Sequence, residues 1–163
     1  MPISILFVCL GNICRSPAAE EILRQKAKDF PNLEIFVESC GLGDWHLGHL
    51  PDVRMRQKAQ ERGWTLCSRA RGLQNEFFSQ FDYLLAADRK VLRSLTQAAP
   101  KEHEKKLYLM TAFSPNYPNF DVPDPYYSDE NGFDEVLNLL EDACQGWLEQ
   151  LANPDNLWPD RSH

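Results

Sequence analysis

The sequence predicts an α/β fold, namely a single domain with a doubly wound sheet of about four parallel strands flanked by helices. Short apolar runs typical of buried strands alternate along the chain with stretches that carry apolar residues at helical spacing. The first strand–helix–strand unit takes about forty residues, which suits a βαβ unit with parallel strands. A length of 163 residues, 43% of them hydrophobic, suits one domain with a substantial core.

The first half of the chain contains two predicted strands and two predicted helices. In order they are a strand over residues 3–8, a helix from Pro17 to Pro31, a strand over 33–40 and a helix over 53–62 that ends at Gly63. The first strand is almost wholly apolar, as expected of a strand covered on both faces, whereas the second alternates. Residues 64–74 show no decisive pattern.

The second half of the chain completes the predicted sheet. It adds a strand over 81–87, a helix over 89–98, a short strand over 106–110, a loop over 111–128 and a long helix whose apolar face runs from Phe133 to Leu151. The loop contains four prolines and no periodicity, so we expect it to be stiff and packed. We expect the domain to comprise residues 1–152 and the tail over 153–163 to be loosely held.

The segment that joins the first strand to the first helix, residues 9–16, has the features of an anion-binding loop. Gly11 takes positive φ freely and Asn12 tolerates it better than most residues, so successive N–H groups can point into one concavity. Ser16 is a good N-cap and Pro17 suits the first helical position. The positive end of the helix dipole is therefore expected to point into the same concavity.

Cys9 begins this loop and Arg15 stands near its end. A helix N-terminus and a nearby cation favour the thiolate form of a cysteine, and the Ser16 hydroxyl can donate a hydrogen bond to the sulfur. The Arg15 guanidinium matches two oxygens of a tetrahedral oxyanion. This combination points to nucleophilic attack on a bound phosphate, whereas the structural alternative for Cys9 is a buried core thiol.

The string CLGNICRSP, directly after the first predicted strand, resembles the phosphate loop of the low-molecular-weight protein tyrosine phosphatases. The resemblance covers nearly the whole chain and implies the same α/β architecture. It implies hydrolysis of phosphotyrosine through a phosphocysteine on Cys9, with Arg15 as a second catalytic residue. It also implies that phosphate is bound by Leu10, Gly11, Asn12, Ile13, Cys14, Arg15 and Ser16.

The proline-rich loop offers a general acid. Asp124 lies between Pro123 and Pro125, which fix the backbone and reduce the entropy of aiming its side chain. Taken alone, this pattern is most often a turn, but Asp-Pro-Tyr-Tyr at this distance resembles the general-acid loop of the family. The resemblance implies that Asp124 acts first as an acid and then as a base, its protonated form favoured by the nearby thiolate and phosphate. Asp121 is the alternative candidate.

The resemblance also implies an aromatic rim around the pocket. Tyr126 and Tyr127 follow the candidate acid, and Trp45 and His46 in the segment DWHLGH match the opposite rim. A deep aromatic slot selects flat phenyl phosphates over alkyl phosphates. The alternative is that these rings only cover the edge of the sheet.

We expect five residues to support the loop, namely Asn12, Ser16, Ser39, Ser68 and Asp88. Asn12 and Ser39 match positions that hold it by hydrogen bonds, and Asp88 matches a carboxylate that usually pairs with a histidine. This chain departs from the family pattern at Ser68, where that histidine is common. We expect a weaker or water-bridged Asn12 contact and a less rigid loop, without loss of the chemistry.

The five cysteines are odd in number and irregularly spaced, which indicates neither a disulfide framework nor a paired zinc motif. Cys14 lies close to Cys9 in the sequence, and the two can form a disulfide once Cys9 is oxidised to the sulfenic acid; the alternative for Cys14 is a small apolar filler. The others are predicted to be packing residues, namely Cys40, Cys67 and Cys144. Because His46 and His49 lack further ligands, we expect neither a metal nor another cofactor.

A net charge of −7 without a basic run argues against nucleic-acid and membrane-surface partners. The N-terminus shows no basic region with a cleavable apolar segment, and no apolar run approaches the ~20 residues of a membrane span. The cytoplasm is therefore the expected location. The expected partners are phosphotyrosine-containing proteins, with inorganic phosphate or vanadate as inhibitory ligands.

Two other functions are compatible with much of this pattern. A thiol-dependent arsenate reductase shares the loop and the fold but requires a relay of two further cysteines downstream, and only Cys67 and Cys144 follow, far apart in the sequence. The non-enzymatic alternative is a regulatory module that binds anions without turnover. Asp124 and the intact loop over residues 9–16 argue against it.

Overall fold

A four-stranded parallel sheet organises the chain in the computed structural model, which describes residues 2–126, 129–153 and 155, apart from the side chain of Glu130. The strands are β1 (Ile3–Cys9), β2 (Ile35–Gly41), β3 (Tyr83–Ala86) and β4 (Leu107–Leu109). Their spatial order is β2–β1–β3–β4, and each neighbouring pair is parallel. The predicted α/β fold class is confirmed.

Helices cover both faces of this sheet. They are α1 (Arg15–Lys26), α2 (Val53–Glu61), α3 (Phe77–Gln80), α4 (Arg89–Ala98) and α5 (Glu130–Ala152), with 3₁₀ turns over Ala27–Asp29 and Lys101–Lys106. Ile5 and Phe7 of β1 pack with α1, α2 and α5, whereas Leu6 and Val8 pack with α3 and α4. Burial of both faces explains why this strand is apolar along almost its whole length.

The first helix begins earlier than predicted and is not capped by Ser16. Helix α1 starts at Arg15, with Cys14 in the N-cap position and no side-chain capping hydrogen bond. Ser16 lies inside the first turn, where its hydroxyl contacts the side chains of Cys9 and Asn12. The prediction of a Ser16 N-cap followed by Pro17 as the first helical residue is therefore wrong, because the loop takes up this hydroxyl.

Other boundaries shift by a few residues, as is usual for element ends. Strands β2, β3 and β4 all begin later than predicted. Residues 64–74 form no helix or strand, although Gly72 bridges Gly41 at the end of β2. The short helix α3 was missed, because four residues are too few to display a helical period.

The proline-rich segment forms a loop, as predicted for 111–128, over the part that the structure describes, which ends at residue 126. It is held against α5. The indole nitrogen of Trp147 donates to Met110 O at 3.0 Å. A β-carbon at Gly146 would lie 2.0 Å from Phe113 O, so glycine is needed where helix and loop meet. These contacts anchor the segment that carries the candidate acid.

The C-terminal boundary follows α5, which ends at Ala152. Of the predicted tail, only residues 153 and 155 are among those described, so the division at residue 152 stays a prediction. Across the described helices, none combines the length and the apolar character that a membrane span requires.

Candidate active site

The loop between β1 and α1 lies at the carboxyl ends of the two central strands. Strand β2 lies on one side of β1 and strand β3 on the other, so the strand order reverses at β1. Doubly wound sheets bind ligands beyond the carboxyl ends of the strands at such a point. A pocket of about 330 Å³ opens there. It is lined by Cys9, Leu10, Gly11, Ile13, Cys14, Arg15, Trp45, His46, Asp124 and Tyr126. The fold thus brings together the predicted nucleophile, arginine, acid and part of the rim.

The backbone of the loop offers unused hydrogen-bond donors. Within the described residues, none of the N–H groups of residues 10–14 donates to a protein acceptor. The positive φ that bends the loop occurs at Asn12, at 60°, and not at Gly11. A β-carbon at Gly11 would instead lie 3.0 Å from His46 Cδ2, so this glycine serves close packing. Successive free N–H groups next to a helix N-terminus form a site suited to an anion.

The buried side chain of Asn12 holds this loop from behind. Its Nδ2 donates to Ser16 Oγ at 2.8 Å and to Ser39 Oγ at 3.0 Å, and its Oδ1 accepts from the backbone N–H of Arg71 at 2.9 Å. All three contacts are direct. A left-handed Asn with a fully used amide gives the loop one defined shape.

Ser68 takes no part in this set of contacts. It is half-buried and, among the described residues, its side chain makes no hydrogen bond. It lines a separate cavity of about 410 Å³ behind the loop, together with Ser39, Arg71 and others. The expected weaker or water-bridged contact of Asn12 and the effect of Ser68 on loop rigidity both stay predictions.

Cys9 ends β1 at the floor of the pocket and is only 3% exposed. Its Sγ lies 3.0 Å from Ser16 Oγ. Because Ser16 Oγ accepts an amide hydrogen from Asn12, its own hydrogen remains for the sulfur or for Cys40 O, which is further away at 3.4 Å. A hydroxyl that donates to sulfur stabilises the thiolate.

Arg15 places a positive charge inside the pocket wall. Its Nη1 donates to Asp88 Oδ2 at 2.6 Å and to Val122 O at 2.9 Å, and its Nη2 lies 3.8 Å from Asp124 Oδ2. Burial lowers the pKa of Arg15, but the negative charges of Cys9 and of both carboxylates outweigh burial and raise it. Arg15 is therefore always charged and held in one orientation.

Asp88 supports Arg15 from the start of α4. Its Oδ2 binds Arg15, and its Oδ1 accepts from the backbone N–H of Val91 at 2.8 Å as the N-cap of α4. Ser68, at the position where the family commonly has a histidine, lies behind the loop, whereas Asp88 follows the end of β3. Asp88 acts as the support of Arg15.

Asp124 projects into the pocket from the proline-rich loop, with its side chain 41% exposed. Its Oδ1 accepts from the backbone N–H of Tyr126 at 3.1 Å, which leaves Oδ2 facing Arg15. Asp121, the alternative candidate, does not line the pocket and is paired with Arg89 at 2.9 Å. The geometry therefore favours Asp124 as the acid.

Arg54, a residue that the sequence pattern did not predict, connects this loop to the loop over residues 9–16. Its Nη2 donates to Tyr126 O at 2.8 Å and binds Asp52 Oδ2 at 2.9 Å. The backbone N–H of Asp52 in turn donates to Ile13 O at 2.7 Å. No local pattern marks such an arginine, because its partner Tyr126 is distant in the sequence.

The rim has two walls. Trp45 is 65% exposed and forms one of them, and the neighbouring rings of His46 and Tyr126, tilted by 42° with centroids 6.2 Å apart, form the other. Tyr127 lies outside the described residues. An apolar slot of this kind fits a flat ring attached to the anion at its floor.

The remaining cysteines differ in exposure. All five are free thiols. Cys40 and Cys144 are buried, as expected of packing residues, but Cys67 is exposed, so its assignment to packing is wrong. Burial raises the pKa of Cys14, which keeps it protonated at neutral pH. Over the described part of the chain, no three His, Cys, Asp or Glu side chains are grouped as a metal site.

Comparison with known proteins identifies the group to which this site belongs. The family model described as low molecular weight phosphotyrosine protein phosphatase matches residues 4–156. The chain belongs to this family. A putative low molecular weight protein-tyrosine-phosphatase from Synechocystis sp. is 38% identical over 150 residues, covering 91% of this chain and 96% of the relative. The predicted enzyme class, a protein-tyrosine-phosphatase and hence a phosphoric monoester hydrolase, is confirmed by such relatives.

Solved structures of similar proteins share the fold. A protein tyrosine phosphatase from Entamoeba histolytica, with Hepes in the active site, superposes with a TM-score of 0.90 at 35% identity, covering 94% of this chain and 99% of that chain. Wzb from Vibrio vulnificus, in complex with benzylphosphonate, superposes with a TM-score of 0.78 at 29% identity, covering 91% of this chain and 98% of that chain.

Proposed function

We propose that this phosphatase hydrolyses phosphotyrosine in proteins through a phosphocysteine on Cys9, with Asp124 as general acid and base. The observation that carries the proposal is the grouping in one pocket of a buried sulfur, free backbone N–H groups, Arg15 and a half-exposed carboxyl. The related Wzb binds benzylphosphonate, a ring joined to a phosphonate. That ligand supports an aryl phosphate as the substrate.

In the first step the Cys9 thiolate attacks phosphorus in line with the leaving group. A sulfur–phosphorus bond forms, the bond from phosphorus to the tyrosyl oxygen breaks, and Asp124 gives its proton to that oxygen. Arg15 and the N–H groups of residues 10–16 hold the equatorial oxygens while charge moves across the phosphoryl group.

In the second step water attacks the phosphocysteine. Asp124, now a carboxylate, takes a proton from the water as oxygen bonds to phosphorus and the sulfur–phosphorus bond breaks. Inorganic phosphate leaves, and Cys9 returns as the thiolate. The Ser16 hydroxyl stabilises this leaving sulfur through the 3.0 Å contact.

The rim supports selection of phenyl phosphates. Trp45, His46 and Tyr126 form walls on which a phenyl ring can stack, and the phosphate must reach a sulfur that is nearly buried. A rim tyrosine at position 127 is part of the proposal. An alkyl phosphate is too thin to contact both walls, so it is held less well.

The positions of the cysteines do not support the arsenate reductase alternative. Cys144 is buried on α5, where its Sγ lies 3.6 Å from Ala19 O, and Cys67 is exposed in the segment after α2. Neither lines the pocket with Cys9. A relay of three cysteines requires all its sulfurs to meet in turn, which this arrangement does not provide.

The proposal is tested with purified protein and three substrates. We expect hydrolysis of a phosphotyrosine peptide and of p-nitrophenyl phosphate, with kcat/KM for a phosphoserine peptide lower by about 100-fold or more. Phosphate and vanadate should inhibit competitively. Arsenate reduction with a thiol reductant, without phosphatase activity, would establish the reductase instead; binding of phosphate without turnover would establish a regulatory module.

We also propose redox control through Cys9 and Cys14. Peroxide oxidises the Cys9 thiolate to the sulfenic acid; Cys14 sulfur then bonds to Cys9 sulfur, and the hydroxyl leaves with the Cys14 proton as water. Both residues line the pocket. The disulfide prevents further oxidation of Cys9 to the sulfinic acid, which thiols do not reverse.

Cys14→Ser is expected to convert reversible inactivation into lasting inactivation. After peroxide treatment and then dithiothreitol, the parent should regain most of its activity and the variant well under half, because the variant has no thiol to trap the sulfenic acid. Activity recovery and the mass of the Cys9 peptide measure this. Cys67→Ser, an exposed cysteine outside the pocket, is the control. Equal recovery in Cys14→Ser and parent would contradict the guard role.

Two further expectations belong to the proposal. Free thiols throughout the chain suit a reducing compartment, so we propose the cytoplasm as the location. We also propose that residues 1–152 form the catalytic domain and that residues 153–163 are not needed for catalysis.

A further inference from the structure

Glu20 is a buried carboxylate that the proposed mechanism does not use. It lies on the inner side of α1, is 7% exposed and does not line the active-site pocket. Arg24 Nη2 donates to its Oε2 at 2.8 Å, and Ser39 Oγ donates to its Oε1 at 2.7 Å. A buried carboxylate is retained only where its oxygens are satisfied, as both are here.

A continuous series of hydrogen bonds joins Glu20 to the nucleophile. Ser39 Oγ is 3.0 Å from Asn12 Nδ2, which also donates to Ser16 Oγ at 2.8 Å, and Ser16 Oγ lies 3.0 Å from Cys9 Sγ. We call this series, from Glu20 through Ser39, Asn12 and Ser16 to Cys9, the Glu20 relay. Apart from Glu20, its members are all 4% exposed or less.

The direction of each bond in the Glu20 relay follows from chemistry. A carboxylate has no hydrogen, so the single hydroxyl hydrogen of Ser39 goes to Glu20. Ser39 Oγ can then only accept from Asn12. The Arg71 N–H on Asn12 Oδ1 at 2.9 Å fixes the same orientation of the amide from its other side.

The same orientation determines what Ser16 does. Both hydrogens of Asn12 Nδ2 are used, one on each serine, so Ser16 Oγ is an acceptor towards Asn12. Its own hydrogen is then directed outwards, and the Cys9 sulfur is its nearest acceptor. By taking the Ser39 hydrogen, Glu20 leaves Ser39 Oγ as an acceptor that holds Asn12, together with the Arg71 N–H, in the orientation that directs the Ser16 hydrogen at Cys9.

We propose that Glu20 is a positioning residue for the Cys9 thiolate, and that Arg24 at the protein surface holds Glu20 in place. This proposal rests on the proposed role of Cys9. Arg24 also stabilises the negative charge of Glu20 behind the loop. Its side chain is 42% exposed, so it reaches from the surface to the carboxylate of Glu20, whose side chain is 9% exposed.

Glutamine at position 20 cannot reproduce these contacts. One end of its amide is a donor, and it must face either Ser39 or Arg24, both of which donate in the parent. If the amide nitrogen faces Ser39, it competes with Asn12 Nδ2 for Ser39 Oγ and the serine hydrogen loses its acceptor, so Ser39 holds Asn12 less well. If the amide nitrogen faces Arg24, it and the guanidinium are both donors, so the hydrogen bond between positions 20 and 24 is lost.

The test is the rate of alkylation of Cys9 by iodoacetamide as a function of pH in Glu20→Gln. We expect a rate about threefold to tenfold lower at pH 6, as for the loss of one ordinary hydrogen bond, and a pH midpoint shifted upwards. Phosphotyrosine turnover should fall by a similar factor. Alkylation requires no turnover, so this measurement stands even if the protein proves not to be a phosphatase.

Glu21→Gln is the matched control. Glu21 precedes Ile22 on the same helix, is 9% exposed and binds the same Arg24 at 2.7 Å, but it makes no contact with Ser39. Its alkylation profile should equal that of the parent. Identical profiles for Glu20→Gln and the parent, or equal shifts in both variants, would overturn the proposal.

Ser39→Ala provides a second route to the same answer. It removes the link between Glu20 and Asn12 and should shift the alkylation profile in the same direction. The double variant of Glu20→Gln and Ser39→Ala should be no slower than the slower single variant, because both changes break one series. Fully multiplicative effects would show that Glu20 acts on Cys9 by another route, and would overturn the relay.

Discussion

Cys9→Ser is expected to lower phosphotyrosine turnover by about 10⁵-fold, as is typical when the nucleophile of a covalent mechanism is removed. A serine hydroxyl in the same place remains protonated at neutral pH, so it is a far weaker nucleophile than a thiolate. Binding of inorganic phosphate should persist, because Arg15 and the N–H groups of residues 10–14 are unchanged. Steady-state kinetics and calorimetric titration with phosphate measure the two effects.

Cys40→Ser is not a useful control for this variant, because Cys40 is fully buried, so we choose the exposed Cys67. Cys67→Ser should turn over substrate at the parent rate. Substantial residual activity in Cys9→Ser, or trapping of the phosphoenzyme on another residue in the parent, would remove Cys9 as the nucleophile. Loss of phosphate binding together with activity would show a collapsed loop and not a missing nucleophile.

Asp124→Ala is expected to act through the leaving group. For a phosphotyrosine peptide, whose leaving oxygen needs a proton, kcat/KM should fall by about 10² to 10³-fold, within the range of general acid catalysis. For p-nitrophenyl phosphate the fall should be about tenfold or less, because nitrophenolate leaves without a proton. The ratio kcat/KM depends only on the steps up to cleavage of the bond from phosphorus to the leaving oxygen. Loss of the base in the second step therefore does not affect the comparison of the two substrates.

Asp121→Ala is the control for this prediction. Asp121 lies three positions earlier on the same loop, but its carboxylate binds Arg89 at the surface. Its removal should leave the difference between the two substrates unchanged. Equal losses for both substrates in Asp124→Ala would exclude it as the acid, and a leaving-group effect in Asp121→Ala would transfer that role to Asp121.

The fold was predictable because its signals are local. An apolar run over β1 and helical spacing in α1, α2, α4 and α5 indicate each element from a short window of sequence. Parallel strands joined by helices then restrict the topology to a few doubly wound sheets. What the pattern missed, such as α3 and the late starts of strands, involves elements of a few residues with no full period.

The loop over residues 9–16 was predictable for the same reason. Cys9, Arg15 and the residues between them form one continuous segment, and a loop that joins a strand to a helix has few ways to run. Even here the detailed roles changed on folding. The positive φ is at Asn12, and the Ser16 hydroxyl serves the sulfur and not the helix end.

The sequence by itself determined the succession of strands and helices along the chain, the loop over residues 9–16 and the candidate acid, because the signal for each lies within about ten consecutive residues. Only the tertiary structure decided which distant groups support them. Asp88 reaches Arg15, Arg54 reaches Tyr126, and Glu20 reaches Ser39. These pairings depend on strand order and on the register of β1 beside β2 and β3, which place residues far apart in the chain at one edge of the sheet. The residues next to a charged side chain in the sequence do not indicate which distant residue will contact it in the folded protein.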